Sequence, residues 1–127
     1  MTESAPDRAP AWLTERAGAS VCYLTTRGRK SGRGHEIEIW FALRDGRLYM
    51  LSGGRERADW VRNVMAGPTV RIRIGERSVE GSANVVVDPD EDALARRLLA
   101  AKYQGWREGR PLSEWAQTAL PVVVRFA

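Results

Sequence analysis

The segment Arg27-Gly28-Arg29-Lys30-Ser31-Gly32-Arg33-Gly34 packs four cations and three glycines into eight residues. Glycine lets backbone N–H groups turn toward a ligand at close range. Guanidinium and ammonium groups add charge, and arginine adds forked hydrogen bonds to phosphate or carboxylate. Chemically this is an anion cradle, and the bland alternative is a solvated hairpin whose arginines serve solubility. A second segment, Ser52-Gly53-Gly54-Arg55, lies between a strand pattern and a helical one. There the first helical N–H groups and a flexible backbone also suit an anion.

Other side chains offer weaker chemistry. His35, the only histidine, directly follows the basic segment and suits a cofactor hydrogen bond or a proton relay. Tyr103, within Lys102-Tyr103-Gln104-Gly105-Trp106, has a phenol able to orient a substrate or donate a proton to it. Glu36 and Glu38 share one strand face and are expected to be solvated or paired with Arg71 and Arg73. Trp40, Trp60, Trp106 and Trp115 read first as core, although any indole face can wall a planar ring. Cys22, the only cysteine, sits between Val21 and Tyr23 and reads as an inert core residue. With one cysteine and one histidine, a disulfide or a transition-metal site is not expected.

The elements that would position these groups follow from periodicity. Residues 7 to 17 read as a short amphipathic helix ended by Gly18. Val21 to Thr26 is a strand, and His35 to Leu43 alternates polar with apolar as a second. The basic segment therefore joins two strands. Asp45-Gly46 signals a hairpin turn into Leu48 to Leu51. Trp60, Val61, Val64 and Met65 mark a helix over 56 to 66, stopped at Gly67-Pro68. Thr69 to Ile74 and Ser78 to Val87 form the next hairpin. Asp88-Pro89 caps a helix over 90 to 102, with Tyr103 just after it. Leu120 to Phe126 closes the chain as a valine-rich strand. If the first three strands are antiparallel neighbours, the loops at 27–34 and 52–56 fall at the same end of the sheet.

Six short strands joined mostly as hairpins predict an antiparallel barrel decorated by helices rather than a doubly wound parallel sheet. At 127 residues the chain fits one domain, 1–127, with residues 1–19 as a helical lead-in. The net charge of +4, spread except at 27–34, favours a local anion site over a polyanion surface, so no nucleic-acid partner is expected. No apolar run approaches the roughly 18 residues of a membrane span. Met1 to Asp7 lacks the blocks of a secretory signal, so the expected location is the cytoplasm, without stable membrane insertion. The glycines are not spaced as Gly-x-Gly-x-x-Gly, and Arg29 stands where a phosphate-binding P-loop needs glycine.

Taken in order, Leu24-Thr25-Thr26, Gly28-Arg29-Lys30-Ser31-Gly32, Trp40-Phe41, Ser52-Gly53-Gly54, Trp60-x-x-Asn63, Pro68 and Ala119-Leu120-Pro121-Val122 resemble the deazaflavin-dependent nitroreductase and quinone reductase family. That family belongs to the split β-barrel flavin and deazaflavin oxidoreductases, related to pyridoxamine phosphate oxidases. The resemblance spans residues 20 to 125. It implies a reductase that passes a hydride from reduced coenzyme F420, a deazaflavin with a phosphodiester and an oligoglutamate tail, to a small organic acceptor. Arg29, Lys30, Ser31 and Gly32 would hold the phosphate. Ser52, Gly53 and Gly54 would line the ring side, with Trp60 and Asn63 on the adjoining helix. Arg27, Arg33 and Arg55 would reach the acidic tail, and Tyr103 would close the substrate pocket. Ser52 or Tyr103 would hydrogen-bond the acceptor as charge builds on it. Gly34-His35-Glu36 departs from relatives that have proline and arginine there. FMN on the same barrel, or a cofactor carrier without turnover, stay open as alternatives, as does a homodimer.

Overall fold

The computed structural model describes residues 8–126. Helix α1 (Ala11–Thr14) starts behind Pro10 and buries Leu13 completely. It is shorter than the helix expected over 7 to 17, since turns replace it after Thr14, and Asp7 lies outside the described residues. Seven strands follow: β1 (Cys22–Arg27), β2 (Gly34–Ile39), β3 (Ala42–Arg44), β4 (Arg47–Ser52), β5 (Thr69–Ile74), β6 (Arg77–Val85) and β7 (Leu120–Arg125). They form one antiparallel sheet in the order β2-β1-β5-β6-β7-β4-β3. A 3₁₀ turn at Arg55–Arg57 leads into α2 (Asp59–Ala66), while α3 (Pro89–Gln104) and α4 (Glu114–Thr118) precede β7.

The six strands expected from the sequence are seven because the run from His35 to Leu43 divides at Trp40-Phe41. Its first half pairs with β1 at one edge of the sheet and its second with β4 at the other. One stretch of chain thus spans both edges and curls the sheet into a half-barrel. The division has a local cause. The Phe41 N–H donates to the Tyr103 hydroxyl at 3.1 Å, and the Phe41 carbonyl accepts from the Lys102 ammonium at 2.9 Å. Side chains of α3 therefore take both backbone groups that a ladder would need, and neither is left unpaired. Accordingly β4 is not the neighbour of β2; it lies between β7 and β3.

Two apolar clusters sit on the two faces of the curled sheet. Leu24, Phe41, Leu48, Met50, Ile72, Val122 and Val124 fill the first, with Ile37 and Ile39 packed at its side. Tyr49, Leu51 and Val123 face the opposite way, toward Ala95 and Leu99 of α3. The alternation within β4 and β7 explains why both strands are apolar almost throughout: each face is covered. Each such side chain removed from water contributes about 1.5–3 kcal/mol.

Helix α3 begins as its sequence predicts. The Asp88 carboxylate accepts from the Glu91 N–H at 2.9 Å, and Pro89 follows at the first helical position. It ends at Gly105, where φ is 67°. Tyr103 consequently lies inside the last turn rather than beyond it.

Candidate active site

The hairpin turn between β1 and β2 is closed by two backbone hydrogen bonds, Gly28 N–H to Arg33 O at 2.7 Å and Gly32 N–H to Gly28 O at 2.8 Å. Gly32 takes φ 74°, which glycine alone adopts cheaply. Gly28 is needed for space: a Cβ there would lie 2.6 Å from both His35 Nε2 and Ser31 Oγ. Ser31 Oγ accepts from the Arg33 N–H at 3.1 Å and stands 3.5 Å from His35 Nε2.

This turn is pinned to α2. Asn63 is buried, and its Oδ1 accepts from the Arg29 N–H at 3.2 Å and from Arg29 Nη1 at 2.8 Å. Its Nδ2 donates to Thr26 Oγ1 at 3.1 Å, so the amide ties the last turn of β1 and the loop to one helix. The other guanidinium nitrogen of Arg29 meets Asp59 at 3.2 Å.

Between loop and helix runs an open groove of about 760 Å³. Of the residues singled out in the sequence, Arg29, Lys30, Ser31, His35, Trp60 and Asn63 line it together. Gly28 and Gly34 of the same basic segment line it too, as do Thr26, Glu36, Ile37 and Asp59, none of which carried an expected coenzyme contact. Asp59 could have been noticed as an acid in the first turn of a helix; Thr26 showed only as the end of a strand and of the Leu24-Thr25-Thr26 motif. Gly32 faces another depression, shared with Arg27 and Arg71.

The second glycine segment sits elsewhere. Ser52 is buried and donates to the Arg55 carbonyl at 3.1 Å. Arg55 takes φ 53°, a left-handed backbone rare outside glycine, and donates to the Thr118 carbonyl while pairing with Glu56 at 3.4 Å. Its guanidinium is thereby committed to the C-terminal end of α4. Arg96 completes that clamp, donating to the carbonyls of Ala116 at 2.9 Å and Gln117 at 2.8 Å. The clamp holds Trp115 against Gly53, where an added Cβ would come within 3.5 Å of the indole. Nothing in the periodicity signals α4, because five residues give barely one turn; Ser113 as its cap is the only local cue.

Tyr103 stacks flat on Trp40, with centroids 4.3 Å apart and planes 1° from parallel. Its hydroxyl accepts from the Phe41 N–H and donates toward the Ser20 carbonyl at 2.9 Å. Burial pushes the phenol up from its ordinary value and the neighbouring Lys102 ammonium down. Cys22 is buried, and that burial pushes its thiol up to about 12. Glu36 pairs with Arg73 through two contacts of 3.1 and 3.2 Å, which draws its carboxyl below the ordinary value. Trp106 donates to the Arg110 carbonyl and lines neither groove.

A curled antiparallel half-barrel of seven strands with flanking helices is similar to the split-barrel folds of flavin-binding and pyridoxamine phosphate oxidase-like proteins. Residues 11–126 match the family model of the F420H(2)-dependent quinone reductases, and the chain belongs to that family. It is an enzyme that uses reduced coenzyme F420. The fold recurs in a conserved hypothetical protein from Mycobacterium tuberculosis, at TM-score 0.68 and 21% identity over 99% of this chain and 85% of that one. An F420-H2-dependent reductase, FDR-A, matches at TM-score 0.63 and 20% identity, with 84% and 94% covered. A FAD-binding protein from Mesorhizobium loti matches at TM-score 0.59 and 20% identity, with 93% and 90% covered. No helix of the described residues is long and apolar enough to cross a membrane.

The groove fits an anionic coenzyme. Lys30, Ser31 and His35 line it with groups able to donate to an anion, and the missing Cβ of Gly28 lets the Ser31 and His35 side chains pack close against the turn.

Proposed function

We propose that the groove between the basic turn and α2 holds the charged part of reduced F420, and that the enzyme reduces a small quinone, nitroaromatic or enone. When bound, reduced F420 supplies a hydride, and a quinone that takes up this hydride and one proton from water becomes its hydroquinone. The chain binds, orients and shields. Lys30, Ser31 and His35 hold the phosphate, while the Gly28 and Arg29 N–H groups, given to Arg33 and Asn63, keep the turn in shape; Arg27 and Arg33 flank the turn on the tail side. Trp60 walls the groove, and Asn63 sets the turn at its distance from the helix. The single observation that carries this reading is the Asn63–Arg29 tether, which fixes cationic donors along one face of a groove large enough for a cofactor.

Ser52, Gly53 and Gly54 form the ring-side turn in this reading. Ser52 and Tyr103 were expected to hydrogen-bond the acceptor. Because each hydroxyl already donates to a backbone carbonyl, we assign them the task of fixing the glycine turn and the Trp40 ring. Arg55 likewise serves by anchoring α4 instead of reaching the coenzyme.

Two measurements test the reading. Titration of the protein into F420 should quench the deazaflavin fluorescence saturably, and FMN in the same titration should bind more weakly. Adding a naphthoquinone to protein and reduced F420 should then consume the reductant in proportion to enzyme. Absence of binding, or reoxidation no faster than buffer alone, defeats the proposal. We further propose a cytoplasmic enzyme, and a homodimer supported by the unpaired outer edge of β2. Sedimentation at micromolar concentration reads its mass directly.

A further inference from the structure

A second depression, about 290 Å³, opens at the bend between β2 and β3 and is lined by Val21, Glu38, Ile39, Trp40, Leu51 and Trp115. It follows the cofactor groove along the same strand, since Glu36 and Ile37 line the first and Glu38 to Trp40 the second. Their lining residues are consecutive along β2, so at about 3.3 Å per strand residue the two depressions adjoin. The volume is at the small end for ligand pockets and suits one or two fused rings.

Its walls are rigid and mostly apolar. Trp40 is 41% exposed, although Tyr103 stacks on one side of it and Trp115 meets it edge-on at 5.5 Å and 84°. A solvent-facing indole held from two sides loses little entropy when a flat ring packs on it. Among the lining residues the only charge is Glu38, and neither lysine nor arginine lines the depression. The Glu38 carboxylate is held at the rim by the Tyr23 hydroxyl, which donates to it at 3.1 Å. Arg73 spends its fork on Glu36, and the Lys102 ammonium is given to the Phe41 carbonyl.

We infer that this depression is the acceptor subsite and that Glu38 sets its charge selectivity, admitting flat neutral or cationic rings and turning away anionic ones. The inference rests on the proposed F420-dependent reduction for its place in turnover, and on the depression alone for its binding preference. A carboxylate several ångströms from an acceptor's sulfonate, partly screened by water, disfavours it by roughly fivefold.

The test compares menadione with its sulfonated analogue in two arms. In the first, kcat/KM for each is measured with reduced F420, for the wild type, Glu38→Gln and Glu38→Asp. Glu38→Gln should shift the ratio toward the sulfonate by roughly fivefold at low salt and less at high salt, whereas Glu38→Asp, which keeps the charge, should hold it. In the second, calorimetric titration of both oxidised quinones onto the protein without coenzyme should show the same shift, and Trp40→Leu should weaken both. An unchanged ratio in Glu38→Gln, or quinone binding indifferent to Trp40, overturns the inference. Loss of F420 turnover with the calorimetric shift intact would instead defeat the proposed function and leave the charge filter standing.

Discussion

The side-chain carbonyl of Asn63 accepts two hydrogen bonds from one residue, the backbone N–H and the guanidinium of Arg29, across a sequence separation of 34. The amide nitrogen of the same side chain donates to Thr26, so no polar atom of this buried group is idle. That amide, with the Asp59 carboxylate on the second guanidinium nitrogen, ties the basic turn to α2.

Asn63→Ala should therefore cost about 1–3 kcal/mol of stability, since it strands the Thr26 hydroxyl and part of Arg29. It should also weaken F420 binding about tenfold or more by freeing the turn. Thermal unfolding and fluorescence titration read the two effects, and full affinity in a folded variant would show that the tether does not set the site.

Lys30 lines the groove, and no hydrogen bond or ion pair engages it among the described residues. Lys30→Ala should leave the unfolding midpoint nearly unchanged while lowering F420 affinity by about tenfold at low ionic strength. In about 0.5 M salt the gap between wild type and variant should narrow, because a groove this open is screened. Equal affinities at low salt would remove Lys30 from the site.

Tyr103→Phe keeps the ring stack on Trp40 and removes the hydroxyl that receives the Phe41 N–H. The expected stability loss is about 1–2 kcal/mol. If the hydroxyl only positions Trp40, KM for the acceptor should rise more than kcat falls. A collapse of kcat with unchanged KM, together with a changed solvent isotope effect on kcat, would instead make the phenol a direct donor.

Alkaline stability reports on Cys22. Burial raises its thiol from the ordinary 9.0 to about 12, so the folded state keeps a proton that the unfolded chain releases. The resulting stabilisation is complete below pH 9 and is lost as pH climbs through 12. Near pH 10.5 the wild type should have lost about 2 kcal/mol from this group relative to pH 8. Cys22→Ala should start less stable, because of the cavity, but should decline less steeply over that range in urea titrations.

Much of the architecture was legible in local pattern. Alternation marked β2 and β5, β-branched and aromatic residues marked β1, the Asp45-Gly46 turn led into β4, the Asp88-Pro89 cap opened α3, and glycine with clustered cations marked the anion-seeking turn. These signals are local because period, cap chemistry and backbone freedom depend on a few neighbouring residues. The family motifs extended this to a cofactor and a reaction. What only the tertiary structure decided depended on groups far apart in the chain. The run at 35–43 reads as one strand until Lys102 and Tyr103 arrive from α3 to take the backbone of Phe41. Arg55 reads as a free cation until α4 offers it the Thr118 carbonyl. Asn63 reads as one polar residue in a helix until Arg29 and Thr26 close on it. A hydrogen-bonding group declares its capacity in the sequence, but its partner is chosen by how the sheet curls, and that choice separates a residue that touches the coenzyme from one that holds the site in shape.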